Sequence, residues 1–390
     1  MRQSLLLNFD VKEYENRINK LVKKMNERNI NAVILSSDEN TYYFCGYNSI
    51  SWGSKLSTPA VLIVTDDGHV TVATTPGGVP TATVTSCVED IRSYGKYGYK
   101  DYMTAVTSVL EEKHLLNKRI GFEFGSGHKM NFDYFQNKQL FEILKDAEWV
   151  DAAEMLWEVR AVKSPAEIAC IREACRINIL AIQKAFDNLK EGDTEMDFYR
   201  TATAECYKLG AEKTMMYGVR AGKERYSQGN CPPSYRPIRE GEIILIDGGP
   251  FYKGYCSDII REAVIGKPTE RQQEIFDVAR EALYVGLNAV KPGIPASQVC
   301  KAVDDYMDNS KFADINVYKN WCGHSIGVGV HESPMLDSVT HTILEPGMVF
   351  SIEPYIYEEG SGSLGVEQNF VVTENGYELL TDSRDDLIRL

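Results

Sequence analysis

Residues 242–261 read EIILIDGGPFYKGYCSDIIR and carry two acidic side chains within apolar runs. The runs around Asp247 and Asp258 have the composition of β-strands, and the Gly/Pro/Lys/Gly segment between them has that of a turn. A reversal at Tyr252-Lys253 predicts that Asp247 lies opposite Asp258, with Cβ atoms about 4.5–5.5 Å apart. Two carboxylates that close repel each other unless they share a proton or a cation. The hairpin therefore indicates a metal site.

Two further acids lie in apolar C-terminal segments, Glu353 in SIEPY and Glu367 in GVEQNF. A buried acid is costly unless it is paired or bound to a cation, so burial of both would require partners. An exposed position on an edge strand is the alternative for either residue. Pro354 argues against a central ladder position directly after Glu353.

Two of the six histidines, His324 and His331, lie in one glycine-rich segment, GHSIGVGVHESP. Glycines allow close approach of the backbone, which suits a binding site. The segment does not fit a dinucleotide-binding loop, because the third glycine of G-x-G-x-x-G would fall at Glu332. We interpret the three histidines nearest the N-terminus as structural: His69, His114 and His128.

Together these residues form an oxygen-rich set with one imidazole: Asp247, Asp258, His324, Glu353 and Glu367. Such a set suits Mn²⁺, Fe²⁺, Co²⁺ or Zn²⁺ and does not suit soft metals. Five ligands, several of them able to bridge, are enough for two ions about 3.5–4 Å apart. Two such ions can polarise a carbonyl group and lower the pKa of a bridging water.

Composition narrows the class of protein. The chain has 390 residues, 43% hydrophobic and 25% charged, with a net charge of −14 and a pI near 5.1. This acidity argues against nucleic-acid and anionic-membrane partners, which require a basic face. Since there is neither a secretory leader nor a membrane-length apolar run, and the nine cysteines include no C-x-x-C pair, we expect a cytoplasmic protein with reduced thiols.

Alternating strands and helices over about the first 150 residues predict an α/β domain, with a boundary near Arg160. The predicted helices there are 11–29, 101–114 and 131–145, and the strands are 32–37, 60–65, 69–74 and 119–124. We predict a polar-aromatic turn at 40–47. Beyond Arg160 we predict helices from Pro165, at 194–209, at about 268–290 and at about 295–309, and strands at 349–357, 366–373 and 377–381.

The chain also resembles the two-domain branch of the pita-bread metallopeptidases, which holds prolidase, aminopeptidase P and creatinase. The four acids and the histidine occur in the family's order, with spacings of 11 positions for the aspartates and 14 for the glutamates. Gly323 precedes His324, and a His-Glu-x-Pro motif begins seven residues later at His331. Near the N-terminus, NTYYFCGY at 40–47 and the linker RAVKS at 160–164 are also similar to the family.

The resemblance implies an α+β protein, with a creatinase-type α/β N-terminal domain at 1–155 and a larger pita-bread catalytic domain at 160–390. It implies a homodimeric hydrolase with two divalent ions, for which we expect Mn²⁺, with Co²⁺, Zn²⁺ or Fe²⁺ as alternatives. In the family, a metal-bridged hydroxide attacks the bond before proline, as in an Xaa-Pro dipeptidase or aminopeptidase. His331 would stabilise the tetrahedral intermediate, and Glu353 would carry a proton as well as bind metal.

Several positions depart from the family pattern. Counting back from Asp247, Asn230 stands where the peptidases have a histidine, and Gly365 stands where they have an arginine. We expect Asn230, Arg261 and His331 to face the substrate, and the basic segment 220–236 could hold an anionic or zwitterionic ligand differently. The departures leave open a non-peptidase hydrolase or lyase acting on a small zwitterion. A catalytically silent binding protein is a third alternative.

Overall fold

The computed structural model describes residues 1–53, 60–93, 102–215, 217–229, 231–316 and 318–390. These residues form two compact units, Met1–Arg160 and Ala161–Leu390, which we call the N-terminal and C-terminal units. Both units combine helices with sheets, so the predicted α+β class is confirmed. In the part of the chain described, no helix is long and apolar enough to span a membrane.

The N-terminal unit is built on one mixed six-stranded sheet in the order β4-β3-β2-β1-β5-β6. Strand β1 pairs antiparallel with β2 and parallel with β5, and helix α4 packs a buried apolar face into the core beside them. The elements are α1 Val11–Glu27, β1 Ala32–Leu35, α2 Asp38–Cys45, β2 Val61–Thr65, β3 Val70–Thr74, α3 Gly78–Thr85, β4 Asp90–Ser93, α4 Tyr102–Glu112, β5 Arg119–Phe122, α5 Tyr134–Ile143, β6 Glu148–Asp151 and α6 Ala153–Ala161.

The predicted helices and strands of this unit are present with shifted ends, residue 101 lying outside the described residues. The predicted turn at 40–47 is wrong, because α2 occupies most of it. The Ser37 side chain accepts a hydrogen bond from the Asn40 N–H at the start of α2, and Gly46 ends the helix with φ +78°. A serine cap and a left-handed glycine are strong helix boundaries, and here they outweigh the weak amphipathic pattern between them.

The C-terminal unit contains two larger sheets, β20-β12-β9-β8 and β14-β13-β15-β18-β19. Its elements are α7 Pro165–Asn188, α8 Glu195–Lys208, β7 Lys213–Thr214, β8 Gly218–Ala221, β9 Ile243–Gly248, β10 Pro250–Tyr252, β11 Tyr255–Cys256, β12 Ile259–Val264, α9 Glu270–Ala289, α10 Ala296–Asp308, β13 Trp321–Ser325, β14 Glu332–Asp337, β15 Val349–Ile352, β16 Tyr355–Glu358, β17 Gly362–Gly365, β18 Gln368–Thr373, β19 Gly376–Leu379 and β20 Ile388–Arg389.

Each of these two sheets is covered by a pair of helices. Ile244 and Ile246 of β9 pack in one buried cluster with the apolar faces of α7 and α8. Phe350 and Phe370, from β15 and β18, pack in a second cluster with α9 and α10. Because successive strand residues point to opposite faces, Asp247 points away from the α7–α8 side. The face of the first sheet that is turned away from α7 and α8 is therefore where a site can form.

Side-chain caps fix the starts of three of the predicted helices of this unit. Ser164, Thr194 and Thr269 each form a capping box at the first turns of α7, α8 and α9. The predicted single strand at 349–357 is wrong, since β15 ends at Ile352 and β16 begins at Tyr355. Pro354 has no N–H to donate to a ladder, so the break lies where Glu353 must turn out of the sheet.

The predicted register of the opening hairpin is also wrong. Asp247 pairs with Ile260, two residues beyond Asp258. The reversal is centred on Lys253-Gly254, where φ is +46° and +76°, and Tyr252 faces Tyr255. Two consecutive positive φ values are typical of the tight turn that matches strand twist. Because the shift is an even number of residues, both acids remain on the same face, as diagonal rather than direct neighbours.

Candidate metal centre

The five predicted ligands converge in the C-terminal unit. Asp247 lies in β9 and His324 in β13, whereas the other three lie at strand ends, with Asp258 before β12, Glu353 after β15 and Glu367 before β18. Their ligand atoms form overlapping groups in which all atoms lie within 4.8 Å of one another. One group joins Asp247, Asp258 and Glu367, and another joins His324, Glu353 and Glu367. Glu367 belongs to both groups, so it is suited to bridging two ions.

The carboxylates are crowded and buried, and no lysine or arginine of the described residues forms an ion pair with them. Burial first, and then repulsion from neighbouring carboxylates, raises the pKa of Asp258, Glu353 and Glu367 well above ordinary values. Burial also raises the pKa of Asp247, although the positive charge of Arg220 opposes that shift. Four acids in one pocket cannot all be ionised unless cations offset their charge.

Several buried atoms of the cluster lack hydrogen-bond partners: Asp258 Oδ1, His324 Nε2 and Glu367 Oε2. Unsatisfied polar atoms are rare in protein interiors and need an explanation. All three belong to predicted ligands and come from different strands. Their chemistry, oxygen with one imidazole nitrogen, is that of a site for hard or borderline divalent ions. The residues present therefore fit the metal ions that the sequence predicts.

The orientation of His324 suits metal binding. Its Nδ1 donates to the Ser325 carbonyl at 3.1 Å, so Nε2 is the free nitrogen. Nε2 lies 3.2 Å from Glu353 Oε1 and 3.9 Å from Asp258 Oδ2. Burial lowers the pKa of His324 to about 4, so the imidazole is neutral at physiological pH. A neutral imidazole with a hydrogen-bonded second nitrogen is the form in which histidine binds a metal.

A polar network beneath the cluster holds the ligands in place. The Asn369 amide accepts from the Asp258 N–H at 3.1 Å and from Ser257 Oγ at 3.0 Å. Its Nδ2 donates to the Asp258 carbonyl at 2.5 Å and to Ser351 Oγ at 3.0 Å. Ser351 Oγ in turn donates to Glu367 Oε1. One amide thus positions two ligands, a role that nothing in its sequence context indicated.

His331 lies beside this cluster and is more exposed than the ligands. Its ring centroid is 4.1 Å from that of His324, at an interplanar angle of 77°. Partial burial and the neighbouring His324 lower the pKa of His331 to about 4. Glu332 Oε1 accepts from the Gly329 N–H at 2.9 Å, and Lys163 Nζ lies 3.4 Å from Glu332 Oε2. These buried contacts hold the loop that presents His331.

A cavity of about 750 Å³ opens onto the cluster. Among the described residues, its wall combines aromatic side chains with a single arginine. The sequence did not predict that these aromatic residues or this arginine lie at the site. Tyr318 and Tyr355 are in contact, with ring centroids 4.0 Å apart and an interplanar angle of 41°. The lining includes Met215, Tyr217, Arg220, Cys231, Asp247, Asp258, Tyr318, Trp321, His331, Glu353 and Tyr355. The only signal in the sequence is the closeness of Tyr318 and Trp321 to His324.

Three predicted substrate-facing positions have different outcomes. His331 lines the cavity, and Asn230 lies outside the described residues. Arg261 does not line the cavity, which corrects that prediction. Its guanidinium donates to the carbonyls of Ile260 and Glu367 at 2.9 and 2.7 Å and to further main-chain and side-chain oxygens. Arg261 is therefore a structural residue that anchors the backbone of Glu367.

Gly365, where the resemblance led us to look for an arginine, has no room for a side chain. It pairs with Tyr355 across β16 and β17. A Cβ atom on Gly365 would lie 2.5 Å from Tyr355 Cβ and 2.7 Å from the Pro354 carbonyl oxygen. The tyrosine and the glycine are therefore coupled by packing.

Comparison with known proteins gives matches along most of the chain. The model of metallopeptidase family M24 matches residues 169–374, and that of the creatinase/prolidase N-terminal domain matches residues 17–162. The Xaa-Pro dipeptidase of Pyrococcus furiosus is 28% identical over 374 residues, covering 95% of this chain and 99% of that protein. The solved structure of an Xaa-Pro dipeptidase from Bacillus anthracis is similar with a TM-score of 0.85 and 25% identity, covering 97% of this chain and 100% of the other. The prolidase from Pyrococcus horikoshii OT3 has a TM-score of 0.82 and 25% identity, covering 96% and 100%.

Proposed function

Because the chain belongs to metallopeptidase family M24, we propose that this metallohydrolase cleaves the peptide bond before proline in short Xaa-Pro peptides. The observation that carries the proposal is the cluster of four carboxylates and one neutral imidazole with unpartnered atoms at its centre. The Xaa-Pro dipeptidases among the relatives support the substrate class. Assembly as a homodimer and a cytoplasmic location remain predictions.

We propose that Asp247, Asp258, His324, Glu353 and Glu367 hold two divalent ions, with Mn²⁺ the expected metal. When bound, such ions supply Lewis-acid polarisation of the scissile carbonyl and lower the pKa of water. The fit rests on the donor set and on Glu367, which belongs to both groups of ligand atoms. Asn369 and Ser351 then act by fixing the directions of these carboxylates.

Two side chains do the remaining chemistry in this proposal. Glu353 accepts a proton from the attacking water at its carboxylate and returns it to the leaving proline nitrogen. His331, neutral and more exposed than the ligands, donates a ring N–H to the oxygen that becomes negative in the tetrahedral intermediate.

The second candidate keeps the centre but changes the substrate to a small zwitterion that is not a peptide. The observation that favours it is Gly365, where Tyr355 fills the space that an arginine side chain would need. A cavity of about 750 Å³ accommodates either a dipeptide or a compact zwitterion. The two candidates therefore differ in the bond that is broken and not in the site that holds the ligand.

The test is release of free proline from a panel of Xaa-Pro dipeptides by protein loaded with Mn²⁺. We expect turnover that is abolished by chelation and in an Asp258→Asn variant. A parallel panel of small zwitterions, followed by loss of the compound, tests the second candidate. Reaction of a zwitterion without proline release from any dipeptide would replace the first proposal by the second. Absence of both reactions in a protein that binds metal would contradict both.

A further inference from the structure

Arg220 of β8 is a buried cation that faces the cavity. Its side chain is only 8% exposed, yet it belongs to the cavity wall together with Asp247 and His331. Nη1 donates to the Gln228 carbonyl at 3.1 Å, whereas Nε is buried without any hydrogen-bond partner. A guanidinium has five N–H groups in a fixed fork, so most of its donors remain free for a ligand.

The other arginines of segment 220–236 are already paired. Arg225 Nη2 lies 2.9 Å from Glu195 Oε2, and Arg236 contacts Glu224 and Glu242. Among the described residues, no carboxylate lies within ion-pair distance of Arg220. A desolvated guanidinium without a counter-ion is costly, which points to an anionic group supplied by a ligand.

The nearby acid Glu262 does not account for this charge. Glu262 and Arg220 both pair with Leu245 from opposite sides, so they lie in one row across β12, β9 and β8. Burial raises the pKa of Glu262 well above the ordinary value, although a backbone hydrogen bond from Gly365 and the charge of Arg220 oppose that shift. Burial therefore disfavours the ionised form of Glu262, and Glu262 lies beyond ion-pair distance of Arg220.

The distance from Arg220 to the metal ligands suits a dipeptide. Gly218 pairs with Asp247 and Arg220 with Leu245, so Arg220 and Asp247 are diagonal neighbours on one face of the sheet, with backbone positions roughly 7–8 Å apart. In an Xaa-Pro dipeptide, three bonds separate the scissile carbonyl carbon from the terminal carboxylate carbon, roughly 3–4 Å. Adding a hydrogen bond of about 2.8 Å brings the carboxylate within reach of the guanidinium.

We propose that Arg220 binds the free C-terminal carboxylate of the substrate and so selects dipeptides over amidated or longer peptides. The inference rests on the proposed function for the identity of the substrate. Position 365 cannot supply the anchor, because Tyr355 fills the space beside Gly365. The contacting rings of Tyr318 and Tyr355 form an apolar wall of the same cavity, suited to a proline ring.

The test compares an Xaa-Pro dipeptide with its C-terminal amide in wild type, Arg220→Gln and Lys223→Gln. Lys223 is exposed and lies in the same segment, so its variant is a control for the loss of one positive charge. We expect wild type and Lys223→Gln to prefer the free acid by about 10- to 100-fold in kcat/KM, the range of a charge-assisted hydrogen bond. Arg220→Gln should lose this preference through a higher KM for the acid, with little change for the amide.

The proposal would be overturned if Arg220→Gln kept the preference for the free acid over the amide. It would also be overturned if Lys223→Gln lost that preference to the same extent. If Arg220→Gln does not fold, Arg220→Met, which keeps a long side chain and removes the charge, takes its place. If wild type cleaves no Xaa-Pro peptide, the proposed function fails separately. Calorimetric binding of proline and prolinamide then decides the role of Arg220: wild type must bind proline more tightly than prolinamide, and the variant must not.

Discussion

His324 and Glu353, from neighbouring strand segments, bring Nε2 and Oε1 to 3.2 Å without forming a hydrogen bond. Both groups are buried, and the pKa of each is shifted toward its uncharged form, down to about 4 for His324 and upward for Glu353. Two polar groups that lie this close without a hydrogen bond between them are placed to bind a common cation. A divalent ion between them would favour the neutral imidazole and the ionised carboxylate together.

The pH dependence of stability should reveal the cost of ionising the buried acids in the metal-free protein. Acids whose folded-state pKa is raised above the unfolded value stabilise the fold at low pH and lose that contribution as pH rises. The histidines act oppositely, because their lowered pKa values cost stability only below about pH 6.5. Between pH 6.5 and 8 we therefore expect the Tm of chelated protein to fall by several degrees.

The control is the same pH series with Mn²⁺ in excess, in which the fall should be much smaller because the metal keeps the carboxylates ionised. The chelated Asp258→Asn variant should also show a flatter profile, since one repelling charge is absent. A chelated wild-type Tm that rises with pH over this window would contradict the assignment of buried, unneutralised acids to the centre.

Replacing His331 should separate catalysis from metal binding. His331→Ala removes one donor to the oxyanion, and loss of such a donor costs about 10²–10³-fold in kcat. Because the atoms of His331 also lie within 4.8 Å of those of Asp258 and His324, it is a possible third ligand there. We expect His331→Ala to retain the wild-type metal content, measured by elemental analysis after desalting.

The comparison variants are His324→Ala, which should lose metal, and the exposed His341→Ala, which should change neither property. Loss of metal from His331→Ala to the same extent as from His324→Ala would assign His331 to the ligand set and remove it from the oxyanion role.

Asn369 should matter for metal affinity although it is not a ligand. Asn369→Ala removes the hydrogen bonds to the Asp258 backbone and to Ser351, which orients Glu367. Loss of such supporting contacts typically lowers metal affinity about 10- to 100-fold. Metal titration by calorimetry measures the effect, with the surface variant Asn188→Ala as a control. Unchanged affinity in Asn369→Ala would show that the ligands are held by packing alone.

A side chain at position 365 should disturb the cavity wall. In Gly365→Ala the new Cβ would lie 2.5 Å from Tyr355 Cβ, so one strand must shift. Overpacking of this kind costs about 1–3 kcal/mol, which denaturant unfolding can measure. Gly218→Ala is the matched control, because its Cβ would make only ordinary contacts at 3.8 Å with Asp247. Equal stability of the two variants would contradict the tight pairing of Tyr355 with Gly365.

Much of the fold follows from local signals in the sequence. Ser164-Pro165 and Thr194 begin helices because side-chain caps and an N-terminal proline act locally. The hairpin register was missed because it depends on which two residues adopt positive φ. Lys253 does so although it is not a glycine, which no propensity predicts. An error of one residue in the turn moved the partner of Asp247 by two.

The convergence of the five candidate ligands was predictable because acids within apolar strands need a common partner. The residues around them were less predictable. Asn369 follows Gln368 in a strand without any distinguishing pattern, and its role arises from backbone groups that only the folded sheet brings near. Arg220 resembled the other basic residues of its segment until the structure paired Arg225 and Arg236 with glutamates. Such tertiary pairing is not encoded at short range.

The number of divalent ions bound per chain tests the proposed metal centre most directly. Purified protein is loaded with Mn²⁺, passed over a desalting column and measured by elemental analysis, with Asp258→Asn treated in parallel. We predict about two ions per wild-type chain, the number that the two ligand groups can hold, and clearly fewer in the variant. A folded wild-type protein that retains no metal, or a variant that retains as much as wild type, would contradict the proposed metal centre.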